Sequence, residues 1–172
     1  MIKISVCDDD EGQLTFFKQC FMEYNEKHKE KIEANFYQSV QSLLNEKKFS
    51  PDVYFLDIEL QDGNGLKLAG KIRTRNSKIP IVFITSHEEF MPEAFQVHAY
   101  QYLNEKKNAQ AVENVLNQLA DYFSEQNQIF SFQTYGEMIS LDCRNIICFT
   151  SEKRKNIVIA EKGEFEYYGK FS

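Results

Sequence analysis

No stretch of this chain approaches the roughly 18 uninterrupted apolar residues that a membrane-crossing helix needs, so a helical span is excluded. The start, MIKISVCDDD, lacks the basic and then long apolar regions of a secretory signal. A cytoplasmic protein with no membrane partner is therefore expected. Cysteine is scarce: Cys7, Cys20, Cys143 and Cys148 form no CxxC pair, which argues against a structural zinc site. Three of the four sit inside apolar stretches and are expected to be buried, reduced thiols. Excess positive charge is also missing. Residues 1–127 carry 14 basic and 20 acidic side chains, residues 128–172 carry 6 of each, and the net charge is −6. Nonspecific nucleic-acid binding by bulk charge is thus unsupported, and any DNA contact has to come from a local patch. No internal repeat or low-complexity tract is present.

What is present suffices for a core. The 172 residues are 42% apolar, 14% aromatic and 27% charged, which excludes general disorder. The length suits one compact domain of about 100–150 residues plus a remainder. Ile2 to Cys7, Ile32 to Tyr37, Val53 to Leu56, Ile81 to Ile84 and Ala99 to Leu103 are short, β-rich apolar runs. Between them Leu14, Phe17, Phe21 and Tyr24 recur at helical steps, as do Leu66, Ala69 and Ile72, and later Val112, Val115, Leu116, Leu119 and Phe123. Nearly continuous apolar strands alternating with helices argue for a parallel sheet covered on both faces. The expectation is an α/β domain with a doubly wound five-stranded parallel sheet over residues 1–124. A polar linker at 125–128 follows. Residues 129–172 read as short strands with turns near Gly136, Asp142 and the "EKG" run. Such an all-β segment is near the lower size limit for folding alone.

In a doubly wound sheet, sites form where strand carboxyl ends meet the following loops. The first strand runs into Asp8, Asp9 and Asp10; the third runs into Asp57, with Glu59 two residues on; the fourth runs into Thr85 and Ser86. Adjacent central strands would bring Asp8, Asp9 and Asp57 into one crevice. Clustered carboxylates repel unless a cation compensates, and hard oxygen ligands without His or Cys suit Mg²⁺. Each fragment also has a plain structural reading, since acidic residues at a helix start cap it and complement its dipole.

The run "CDDD", then "VYFLDIEL" followed by "DGNGL", then "IVFITS" resembles the receiver domain of two-component response regulators, with the flavodoxin-like fold. The resemblance covers residues 1 to about 124. It implies that Asp57 is the phosphoacceptor for a sensor histidine kinase. It further implies that Asp8, Asp9, Asp57 and the backbone carbonyl of Glu59 hold Mg²⁺, and that Thr85 and Tyr102 switch with the phosphoryl group. Divalent charge compensation is what a phosphoryl group beside carboxylates requires. Simple capping by Thr85 and simple packing by Tyr102 remain alternatives. One position departs from the family. The fifth strand leads into "NEKKN", so Glu105 falls where the family places a lysine. Either Lys106 reaches in after a one-residue shift, or the phosphorylation switch is weakened or lost.

Residues 129–172, with "EYYGK" near their end, resemble the first half of a LytTR-type DNA-binding domain, similar to the accessory-gene-regulator class. That resemblance implies promoter DNA as partner and makes Lys153, Arg154 and Lys155 of the "SEKRK" loop the contact candidates, with Arg suited to guanine and Lys to phosphate. A charged, solvated hairpin tip is the plain alternative. The later LytTR elements are absent, which suggests either a truncated form or a protein that does not bind DNA alone. Unpaired edge strands would favour a homodimer. The expected function is a non-enzymatic response regulator controlling transcription. The alternative is a phosphorylation-independent receiver-like interaction module with a truncated output domain. A Mg²⁺-dependent phosphohydrolase ranks last.

Overall fold

The computed structural model describes residues 1–85, 88–103, 107–126, 129–134, 136–152 and 155–167. Five strands form one parallel sheet: β1 (Ile2–Cys7), β2 (Ile32–Tyr37), β3 (Val53–Asp57), β6 (Ile81–Ile84) and β7 (Gln101–Leu103), in the order β2-β1-β3-β6-β7. Two short strands, β4 (Glu59–Leu60) and β5 (Gly63–Asn64), make a separate hairpin directly after β3. The helices are α1 (Glu11–Lys27), α2 (Val40–Asn45), α3 (Gly65–Arg75), α4 (Met91–Gln96) and α5 (Ala109–Gln126). None of the described helices is long and apolar enough to cross a membrane.

The sheet has this form because its central strands are apolar throughout. All four residues of β6 are buried, as are four of the five in β3. On one face, α1 lays Leu14, Phe17, Phe21 and Tyr24 inward, where Phe17 stacks on Phe55 with centroids 5.9 Å apart. Burial of each such aromatic contributes about 2–3 kcal/mol. On the other, Leu68, Ala69 and Ile72 of α3 pack with Leu56, Ile58 and Phe83. The strand β7 begins two residues later than expected, because the Ala99 N–H closes α4 by donating to the Ala94 carbonyl (3.1 Å).

The chain divides into two compact units, Met1–Asn117 and Gln118–Ser172. Helix α5 runs to Gln126, so the first two residues of the expected 125–128 linker are helical. Apart from a 3-10 turn at Cys143–Asn145, the rest of the second unit's described elements are strands: β8 (Ile129–Thr134) and β9 (Glu137–Asp142) pair as a hairpin, and β10 (Ile146–Glu152), β11 (Lys155–Ala160) and β12 (Gly163–Tyr167) form an antiparallel sheet. Gly136 and Gly163 take positive φ (93° and 136°), which glycine permits in tight turns. Phe132, Leu141, Val158, Ala160 and Tyr167 are the unit's buried cluster. One expectation is corrected here. Cys7 and Cys20 are buried, but Cys143, in the turn before β10, and Cys148 are both exposed free thiols, Cys148 because β10 is an edge strand whose residues after Ile146 face solvent.

Candidate functional site

The register of the sheet assembles the site. Cys7 pairs with Leu56 and Asp57 pairs with Ile84, so the chain leaves β1 at Asp8, β3 at Asp57 and β6 at Thr85 side by side. Strand order reverses between β1 and β3, which opens a crevice at these carboxyl ends. Within it one carboxylate oxygen from each of Asp8, Asp9 and Asp57 lies within 4.8 Å of the others. Asp8 and Asp57 are 0% and 2% exposed, and Thr85 is fully buried.

Backbone amides hold each carboxylate in place. The Ile58 N–H donates to Asp57 Oδ1 (2.8 Å), the Asp10 N–H to Asp8 Oδ1 (2.9 Å) and the Gln61 N–H to Asp9 Oδ2 (3.2 Å). The three neighbouring aspartates divide their labour. Asp10 is the N-cap of α1, its Oδ1 accepting from Gly12 (2.7 Å) and Gln13 (3.3 Å), so the capping reading belongs to Asp10 and leaves Asp8 and Asp9 facing Asp57. The local field is strongly negative. Burial pushes the Cys7 thiol up to about 12, and the charges of Asp62, Asp8, Asp57 and Asp9 add to the rise.

These donors fit a hard divalent cation: three carboxylate oxygens converge, with no nitrogen or sulfur ligand among them. Glu59 begins β4, two residues past Asp57, with its side chain exposed. Tyr102 is half-buried on β7, paired with Phe83 of β6. Ser86, Glu105 and Lys106 lie outside the described residues. In the second unit Lys153 and Arg154 also lie outside them, whereas the Lys155 ammonium pairs with Glu166 at 2.7 Å.

Sequence reasoning missed three supporting residues in the "QDGNG" run. Asp62 reaches across to α2 and accepts from the N–H groups of Val40 (2.9 Å) and Gln41 (3.0 Å), bonds that hold its carboxyl below the usual range, Gln41's contributing most. Asn64 caps α3 through Leu66 and Lys67. Gly65 donates its N–H to the Ile58 carbonyl (2.8 Å). Nine residues from Asp57 to Gly65 thus tie the carboxylate cluster to two helix starts. A side chain three residues before a glycine signals no particular long-range partner, so only Asn64's cap was open to sequence reasoning.

Comparison with known proteins gives the same frame. Residues 4–117 match the family model of the response regulator receiver domain. A response regulatory protein of Yersinia pestis is 29% identical over 120 residues, covering 70% of this chain and 49% of that protein. The sensory transduction protein LytR of Staphylococcus haemolyticus is 32% identical over 95 residues, covering 55% of this chain and 36% of the relative. This chain therefore spans about half or less of the length of these relatives. Among solved structures, the response regulatory domain of mrkE from Klebsiella pneumoniae superposes with a TM-score of 0.62 at 23% identity, covering 73% of this chain and all of that one. The response regulator TrrA of Thermotoga maritima, in complex with Mg²⁺-BeF, gives 0.59 at 22% identity, covering 69% and 99%. A five-stranded parallel sheet of this order, with acidic strand ends in its crevice and a family model matching residues 4–117 of the chain, places the chain in the response regulator receiver domain family.

Proposed function

We propose that this chain is a cytoplasmic two-component response regulator in which Asp57 accepts a phosphoryl group from a sensor histidine kinase. The observation that carries this reading is the convergence of Asp8, Asp9 and Asp57 within 4.8 Å at adjacent strand ends. Asp8, Asp9, Asp57 and the Glu59 carbonyl would hold Mg²⁺, which when bound compensates the charge of phosphoryl oxygens. The TrrA complex with Mg²⁺-BeF supports that assignment by analogy. Asp57 acts as the nucleophile: its carboxylate forms the new P–O bond while the donor's bond to phosphorus breaks, and the Ile58 N–H fixes one of its oxygens. Thr85 and Tyr102 are the switch residues of this reading, with Lys106 as the cation. The chain is an acceptor and a switch, and no catalysed reaction on a separate substrate is assigned to it.

The output is transcriptional regulation through a LytTR-type module beginning at residue 129, with promoter DNA and a second copy of the chain as partners. Support comes from the relatives, which include a transcriptional regulatory protein LytR of Staphylococcus aureus, 31% identical over 68 residues. Lys153, Arg154 and Lys155 are its DNA-contact candidates; Lys155 would exchange its Glu166 partner for phosphate. Glu105, at the family's lysine position, favours a second reading, a receiver-like module that binds partners without phosphotransfer. Intact mass after incubation with acetyl phosphate, with and without Mg²⁺, separates the two. The first reading expects a Mg²⁺-dependent phosphoryl adduct that Asp57→Asn lacks. A folded wild-type protein with no adduct would establish the second.

A further inference from the structure

Helix α2 is only six residues long. It ends at Asn45, and the Glu46 side chain then accepts from the Lys48 N–H (2.6 Å), turning the chain away. No further helical turn covers this flank of the sheet, and an open cleft of about 390 Å³ remains between the end of α2 and the last turn of α3. Leu43, Ile72 and Ile79 are its buried apolar residues, with the half-buried ring of Tyr54 beside them. Lys71 and Arg75 are exposed at its edge. Tyr54 is the second residue of β3 and Asp57 the last, so the cleft lies toward the opposite end of the strand from the carboxylates. Its volume is that of a small-molecule site, and its lining divides evenly between an apolar half and a polar half that holds Lys71 and Arg75.

Charge singles out the occupant. Residues 63–78 carry five basic and no acidic side chains, in a chain whose net charge is −6. Lys67, Lys71 and Arg75 follow one another at four-residue steps and are all exposed, which makes one cationic stripe along α3. Glu46 is the one carboxylate among the described lining residues, and one of its oxygens is already taken by the Lys48 N–H. Burial raises the Tyr54 phenol's pKa, Tyr37 adds to the rise, and the Arg75 charge opposes it.

We propose that this cleft binds a small organic anion with an apolar body, of the aromatic carboxylate class. The hydrocarbon sits against Leu43, Ile72 and Ile79, and the carboxylate meets Lys71 and Arg75. Titration of the ¹⁵N-labelled full chain with 2-naphthoate tests it, with 2-naphthylmethanol as the neutral counterpart. Saturable amide shifts are expected at residues 43–46 and 71–79, and the alcohol should bind about tenfold more weakly, since a charge-assisted hydrogen bond is lost. Lys71→Glu and Arg75→Glu should each weaken naphthoate binding by a similar factor. Thr74→Phe, which fills the cleft and keeps both cations, should abolish it, and Asp57→Asn should leave it unchanged. Absence of saturable shifts at those amides, equal binding of acid and alcohol, or wild-type binding by the two glutamate variants would overturn the proposal.

Discussion

Gly65 stands against the backbone of Asp57 so closely that a Cβ on it would lie 2.0 Å from the Asp57 carbonyl oxygen and 2.9 Å from its carbonyl carbon. No rotamer relieves such a clash, because both partners are main chain. The start of α3 is therefore set by the strand that delivers the Asp57 carboxylate, and the glycine is required by close approach, its φ being ordinary. Gly65→Ala should destabilise the protein by about 1–3 kcal/mol, the range of an overpacked core site. Gly70 on the same helix has nothing within 4 Å of its Cβ position, and Gly70→Ala should stabilise by about 1 kcal/mol through helix propensity. Urea denaturation of the two variants checks the opposite signs.

The carboxylate cluster should behave differently with and without a cation. In metal-free buffer Asp9→Asn removes like-charge repulsion from Asp8 and Asp57 and should raise the melting temperature. Added Mg²⁺ should stabilise the wild type, by about 2.7 kcal/mol at one hundred times its Kd, and the variant far less. Thermal melts across a Mg²⁺ series measure both effects. A wild type indifferent to Mg²⁺ would remove the metal from the account.

Asp62 joins the hairpin after Asp57 to the start of α2. Its carboxyl is held below 3.8 by the Gln41 and Val40 N–H groups, so its contribution is present above that value and fades as pH falls through the lower, folded-state value. Asp62→Ala should speed hydrogen exchange at the Val40 and Gln41 amides while the Leu66 and Lys67 amides, capped by Asn64, keep their protection. Exchange measured by NMR near neutral pH distinguishes these two helix starts.

Cys7 gives the fold an alkaline weakness. Its thiol titrates near 12 when folded, against 9.0 for the ordinary group, so the folded state keeps a proton that the unfolded state releases. Stability from this source is complete below about pH 9 and declines as pH rises from 9 toward 12. Cys7→Ala should flatten that decline in denaturation experiments between pH 8 and pH 11. At neutral pH a maleimide should label exposed Cys143 and Cys148 first, leaving buried Cys7 and Cys20 for the denatured chain.

Legibility in the sequence followed the length and burial of each element. Leu14, Phe17, Phe21 and Tyr24 repeat over three turns, and all four are buried on one face of α1. The fully apolar β6 was equally plain. Helices α2 and α4 have six residues each, too few to show a period, and the start of α2 is held by a partner far along the chain. Asp62, for α2, is 22 residues from Val40. The β4–β5 hairpin has two residues per strand, so its "QDGNG" run reads as a loop. At the site, acidic residues on strand ends identified Asp8, Asp9 and Asp57 because a parallel sheet collects its carboxyl ends on one edge. Asp10, in the same run, was separable only by its geometry as a cap. Cys148 looked buried because its neighbours are apolar, but β10 has a strand on one side only.

The central claim is that Asp57 carries the phosphoryl group, and the most direct test locates the group chemically. The protein is incubated with acetyl phosphate and Mg²⁺, reduced with borohydride and digested. Reduction converts an aspartyl phosphate to homoserine, which peptide mass analysis assigns to a position. The account expects homoserine at residue 57 and at no other aspartate. Homoserine at Asp8 or Asp9, or none in a protein that remains folded, would contradict it.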